Sequence, residues 1–354
     1  MINLFNEITY LEYKFPKPQY LGAKYKFADW ISSFLPNNIN TILDAFSGSQ
    51  SISFRFKQLG YRVITNDFLN FNNQIGISLI ENKNNILTDD DLNILFDKNS
   101  DKSFFNLFQN IYTDIFFDIN ETVFLDSFRS NIDKLDNKYK KSLALSIMNR
   151  SMTRKITMGH FCHAQALNYA SNPDRIKRNR SLVRPIKDIF LELVKDYNAA
   201  VFDNQKDNIS YNYDILELLP NLYDIDLVYF DPPYCNSHAD YQSFYHILET
   251  YTEYWKDKEF INSIRRYEPK RYTGFDKKLN IIDSLNTLFE FSKNIPYWLF
   301  SYNDRSYPDE NTIVDMISKY KKNVDVYYNK YMNGVGGKGS VAGSNEILIV
   351  ANSQ

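Results

Sequence analysis

The residues Asp231-Pro232-Pro233-Tyr234 bring a carboxylate, two prolines and an aromatic ring together at one point of the chain. They follow the apolar run Leu227-Val228-Tyr229-Phe230, which reads as a buried parallel strand. In an open α/β sheet, ligands bind just outside the carboxyl ends of the strands. The prolines fix the backbone and carry no N–H, which leaves their carbonyls to face a ligand. Asp231 and the Pro232 carbonyl can then both accept hydrogen bonds from one exocyclic amino group. Tyr234 offers a flat face on which a base can stack. With Pro233 stiffening the turn, these are the parts needed to methylate an amino group on a nucleobase. The competing reading is a turn after a strand, with Asp231 as a helix cap and the prolines as chain breakers.

A second constellation lies upstream. Leu43-Asp44-Ala45-Phe46-Ser47-Gly48-Ser49-Gln50 falls between a strand and a helix, where small residues let the backbone approach a ligand and the helix offers free N–H groups. Asp67 ends the next strand, where an acid can hold the two hydroxyls of a ribose. Each acid alone reads equally well as a cap. Together they imply an adenosine-bearing cofactor.

These residues need a sheet to position them. A helix is expected over Lys26–Phe34, a strand over Asn40–Asp44, a helix over Ser51–Gly60 and a strand over Tyr61–Thr65, a β–turn–α–β unit of roughly 30 residues. Further strands are expected over Asn208–Asp214, Asp226–Asp231, Tyr297–Tyr302, Val324–Tyr331 and Glu346–Ala351. A loop holding five of the eleven glycines, Gly334 to Gly343, separates the last two. Residues 70–199 are polar and helical in pattern, too long for one crossover, and read as an insertion. The expected fold is therefore α/β: a doubly wound, mainly parallel, Rossmann-like sheet formed by residues 1–69 and 200–354, interrupted by a mainly helical module.

Composition sets outer bounds. With 354 residues, 44% hydrophobic and 24% charged, the chain has the profile of an ordinary globular protein. Aromatics reach 16%, so no single aromatic argues for base stacking. A net charge of −2 excludes a uniformly basic nucleic-acid binder while allowing a local basic face. Two cysteines, Cys162 and Cys235, without a CxxC pair fit a reducing cytoplasm and no structural zinc. Met1 to Tyr13 lacks a long apolar run, and no stretch of about 18 apolar residues follows, so neither a signal peptide nor a membrane span is expected.

With these residues in place, the chain resembles the Dam-like, D12 class of DNA adenine-N6 methyltransferases. The matching blocks are Tyr20-Leu-Gly-Ala-Lys24, then Asp44-Ala-Phe-Ser-Gly48 with Asn66-Asp67, then Asp231-Pro-Pro-Tyr234 with Asp240-Tyr241 and Phe244-Tyr245-His246. The resemblance implies a class I methyltransferase fold, S-adenosylmethionine as cofactor and duplex DNA as partner. It also implies a cytoplasmic bacterial or phage enzyme, often paired with a separately acting restriction endonuclease. It assigns Tyr20 and Lys24 to the cofactor, with Lys24 suited to its carboxylate. Asp44, Phe46 and Gly48 match the cofactor loop, Asp67 the ribose-binding acid, and Asp214 the acid that holds the cofactor's adenine. Asp231 matches a residue lying against both cofactor and target amine. Gln50 departs from the family, which usually has glycine there; its side chain either narrows the cofactor site or points to solvent. Residues 70–199 stand where this class places its target-recognition region.

From Arg150 to Lys187 there are nine Lys or Arg and one acid, Asp174. The core of this run, Arg175, Lys177, Arg178, Arg180 and Arg184, is expected to contact DNA, with Asn168, Asn172, Asn179 and Gln165 interleaved to suit adenine edges. Arg265-Arg266, Lys270-Arg271 and Lys277-Lys278 could hold phosphates, and so could Lys338. Cys235 is expected to be structural, since a cytosine-C5 nucleophile would follow a proline. His160, Cys162 and His163 lack the partners of a metal set, and His246 is expected to be a packed residue. The alternatives left open are cytosine-N4 methylation, a non-catalytic DNA-binding protein on the same fold, and an RNA substrate.

Overall fold

A computed structural model describes residues 10–99, 101–156, 159–163, 166–233, 240–330 and 345–353. Among them run the strands β1 (Thr41–Asp44), β2 (Arg62–Asn66), β3 (Ile209–Tyr211), β4 (Leu227–Phe230), β5 (Glu259–Ile261), β6 (Arg266–Glu268), β7 (Tyr297–Asn303), β8 (Asn323–Lys330) and β9 (Asn345–Asn352). Seven of them form one sheet in the order β3-β2-β1-β4-β7-β9-β8. β3, β2, β1, β4 and β7 are parallel, and β9 runs antiparallel to both β7 and β8. This is the mainly parallel α/β sheet expected from the sequence.

The central strands β1 and β4 are buried along their whole length because both faces of the sheet are covered there. Ile42, Val63, Leu227, Tyr229 and Leu299 point into one buried cluster, whereas Leu43, Ile64, Val228, Phe230 and Phe300 point into the other. The second cluster is closed by Leu285 and Leu288 of the helix Ile281–Ser292 and by Ile313 and Ile317 of the helix Glu310–Ile317. The first continues into the segment 70–199, whose helices Lys138–Arg154 and Ile186–Ala200 contribute Leu143, Ile147 and Phe190. Those helices thus share their core with one face of the sheet. Glu249, in the helix His246–Glu253, accepts the N–H groups of Asn70 at 2.9 Å and Phe71 at 3.0 Å. It thereby caps the first helix of that segment, Asn70–Ile75.

Several boundaries differ from expectation for local reasons. Tyr61 still donates to Phe56 O of the preceding helix, so pairing begins with Arg62, whose N–H bonds Asn40 O. The helix expected over Lys26–Phe34 divides into a 3-10 turn, Lys24–Phe27, and a short helix, Ala28–Ser32. β3 is shorter than Asn208–Asp214 because Asn66 takes the Tyr213 N–H through its side chain and Asp214 caps the next helix. The β5–β6 hairpin was not anticipated: each strand has only three residues and no alternating apolar pattern. The glycine loop with Lys338 lies outside the described residues.

Candidate active site

The register places the ends of β1, β2 and β4 side by side, with Asp44 opposite both Thr65 and Tyr229. Asp44 therefore closes β1, Asp67 follows β2, Asp214 follows β3 and Asp231 follows β4. All four aspartates line one solvent-open cavity, together with Tyr20, Lys24, Phe46, Gly48, Pro232 and Pro233. Tyr234 and Cys235 lie outside the described residues.

Lys24 is the pivot of this cavity. It is buried, 3% exposed, and its ammonium donates to Asp231 Oδ1 at 2.8 Å, Asp231 Oδ2 at 2.9 Å and Gly22 O at 3.1 Å. Nothing in the sequence announced this ion pair, since 207 residues separate its members. The lysine is delivered by the segment Tyr20–Lys24, which a stack of rings holds in place. Tyr20 lies 4.8 Å from Tyr245 at an interplanar angle of 10°, and the Tyr245 hydroxyl accepts the Leu21 N–H at 2.7 Å.

The residues expected to form the cofactor loop make a tight cradle. Gly48 has φ +46°, and a Cβ there would come within 3.2 Å of the Tyr20 ring. Its N–H donates to Asp67 Oδ2 at 2.7 Å, and Asp67 Oδ1 accepts from Leu69 N at 2.9 Å and Asn72 Nδ2 at 3.1 Å. Burial raises the Asp67 pKa, against the pull of those three donors. Gln50 neither narrows the cavity nor reaches solvent. It is fully buried at φ +65°, and its Nε2 donates to Ser47 Oγ at 2.7 Å and Asn72 O at 3.3 Å. The left-handed backbone that would favour glycine is thus kept by an amide whose hydrogen bonds lie behind the loop.

Asp44 is the most strained acid of the set. Its Oδ2 accepts from Ser53 Oγ at 2.5 Å, while Oδ1 has no hydrogen-bond partner in its buried position. Burial pushes the carboxyl up to about 7, opposed by Ser53 and reinforced by the charges of Asp231 and Asp67. Asp214 also accepts the Leu216 N–H at 3.0 Å, so it is a cap and a cavity-lining residue at once.

Sequence reading missed the far wall. Thr273, Phe275 and Asp276 border the cavity, and Phe275 meets Phe46 edge-on at 5.0 Å. They belong to no motif that could have marked them. The outer side of the same segment exposes Tyr272, Lys277, Lys278 and Leu279, the last 88% exposed. Of the expected DNA-contacting residues, Lys177, Arg178 and Arg180 are exposed. Arg175 lies 3.6 Å over the Tyr169 ring, and Arg184 bonds Glu192 at 2.6 Å. Gln165 lies outside the described residues. His246 is buried with Nε2 3.2 Å from Phe161 O, and burial lowers its pKa to about 3, so it is a neutral packed residue. Among the described residues no group of three or more His, Cys, Asp or Glu could hold a metal ion. Among them, too, no helix is long and apolar enough to cross a membrane.

Residues 20–290 match the family of D12 class N6 adenine-specific DNA methyltransferases. The chain belongs to that family. It is also 35% identical over 347 residues to the Type II methyltransferase M2.HphI of Haemophilus parahaemolyticus, an alignment that covers 96% of this chain and 99% of that relative. This D12 methyltransferase is therefore an enzyme that uses a methyl donor and acts on adenine in DNA. Family membership decides for adenine N6 over cytosine N4 and for catalysis over binding alone.

The buried acid gives the methyltransferase a pH-dependent stability. Asp44 has an ordinary value of 3.8 and a folded value of about 7, so the fold favours its protonated form. Stability from this group is present at low pH and lost as pH rises from about 4 to about 7. Asp44→Asn should raise the ligand-free Tm at pH 8 by about 2 °C or more. The gain should shrink as pH falls towards 4. Calorimetric scans across pH check this, and a difference independent of pH would refute it.

Proposed function

We propose that this methyltransferase takes its methyl group from S-adenosylmethionine and adds it to a flipped-out adenine of duplex DNA at the cavity beside Asp231. The observation that carries the reading is the charge of the cavity. Its described lining holds six aspartates and one cation, Lys24. Such a wall favours a positively charged ligand, as a sulfonium is. The cradle at Gly48 and the unpartnered buried Oδ1 of Asp44 fit a ligand packed against this loop.

Asp67 would hold the cofactor's ribose hydroxyls, Asp214 its adenine amino group, and Tyr20, Lys24, Asp44, Phe46 and Gly48 the remainder. When bound, S-adenosylmethionine supplies an electrophilic methyl group on sulfur. Adenine N6 is a poor nucleophile because its lone pair is delocalised into the ring. Asp231 and the Pro232 carbonyl would accept hydrogen bonds from that amino group and localise the lone pair. Pro233 holds the acceptors rigid, and Tyr234 would stack on the base. Flipping costs a few kcal/mol in lost stacking, and a ring stack returns about 1–3 kcal/mol. Contacts to the DNA backbone would supply the rest.

Residues 70–199 would serve as the target-recognition region, with Arg175, Lys177, Arg178, Arg180 and Arg184 on its DNA face. Lys277 and Lys278, on the segment that walls the cavity, would hold phosphates near the flipped nucleotide. A cytoplasmic enzyme working beside a separate restriction endonuclease fits the Type II relative.

Transfer of labelled methyl from S-adenosylmethionine to a mixed-sequence duplex, followed by nucleoside mass spectrometry, should yield N6-methyladenine at a defined site. N4-methylcytosine, or modification of RNA alone, would contradict the proposal. Neutralising Arg178 and Arg180 together should weaken DNA binding. It should also make the dependence of log affinity on log salt less steep by about two. Unchanged affinity and slope would remove these residues from the interface.

A further inference from the structure

We infer that Glu346 is a positioning residue for methyl transfer: its carboxylate shares the Lys24 ammonium with Asp231, so the lysine can fix Asp231 without cancelling its charge. This rests on the function proposed above. Glu346 is the second residue of β9, opposite Asn303 of β7 and Asn329 of β8. Because β9 is reversed, its first residues arrive at the sheet edge where β4 and β7 end. Glu346 is wholly buried, and its Oε1 lies 3.6 Å from Lys24 Nζ and accepts from Ser301 Oγ at 3.1 Å. A carboxylate buried in a sheet is costly unless a cation or strong donors answer it. Here one ammonium serves two carboxylates.

Lys24 therefore faces two carboxylates, Asp231 and Glu346, rather than one. Asp44 and Asp67 stand at the ends of β1 and β2, and the buried Tyr229 hydroxyl feels Asp231, Asp44 and Glu346 together. An ammonium bonded to Asp231 alone would draw off the electron density that the adenine amino group must meet. Shared with Glu346, it orients both Asp231 oxygens while leaving them strong acceptors.

The test is Glu346→Gln, which keeps shape and one hydrogen-bond acceptor. Wild-type turnover is measured first: no turnover removes the proposed function and this inference together, whereas the variants bear on the inference alone. With an active wild type, Glu346→Gln should lower kcat by about tenfold, the size of one pKa unit. The KM values for DNA and donor should stay within about twofold. The acid limb of the kcat–pH profile should move to lower pH, because Asp231 loses a negative neighbour. Glu346→Asp, which keeps the charge, should return that limb towards its wild-type position. Where Glu346→Gln fails to fold, Ser301→Ala carries the test, since it removes the donor that favours the charged form of the Glu346 carboxylate and should shift kcat and the limb in the same direction. An unchanged kcat and acid limb would overturn the inference. So would a lowered Tm with the limb in place, which would make Glu346 merely structural.

Discussion

The structure depends on holding like charges together at one edge of a sheet. Parallel strands all end on the same side, so the acids that follow β1, β2, β3 and β4 converge whether or not their charges repel. Each pays for its place differently. Asp67 is tied down by Gly48, Leu69 and Asn72, Asp214 caps a helix, and Asp231 is clamped by Lys24. Asp44 is the least satisfied, with one oxygen bonded to Ser53 and the other without a partner. A cavity so arranged is poorly matched to an anion and well matched to a cation.

The ion pair between Lys24 and Asp231 joins the N-terminal segment to the end of β4. Tyr20, Tyr245 and Leu21 bring the lysine across, so the N-terminal segment forms part of the cavity wall. The reversed strand β9 adds Glu346 to the same lysine from the opposite side. Three segments distant in sequence thereby meet at one ammonium, which ties the geometry of the acceptor residue to the closure of the sheet.

Much of this was legible beforehand. The strands expected over Asn40–Asp44 and Asp226–Asp231 could be read because the buried runs they contain are covered on both faces, and the acid ending each could only fall at the carboxyl edge of the sheet. Other features depend on contacts that no local pattern carries. Lys24 read as a partner for a cofactor carboxylate, but its bond to Asp231 is fixed by a ring stack far along the chain. Gln50 read as narrowing the site or facing solvent. Its amide instead finds Ser47 and Asn72 behind the loop, which only the packed helix Asn70–Ile75 makes available. Glu346 sits in an apolar strand and gave no signal of its own. Thr273, Phe275 and Asp276 reach the cavity through a segment without regular structure.

The most direct test of the account is single-turnover methyl transfer by Asp231→Asn and Asp231→Ala, from enzyme preloaded with S-adenosylmethionine and duplex DNA. The transfer rate should fall at least about a hundredfold, with both ligands still bound within a few-fold of wild-type affinity. Near-normal transfer in either variant would contradict it, because the amino group would then need no carboxylate at that position.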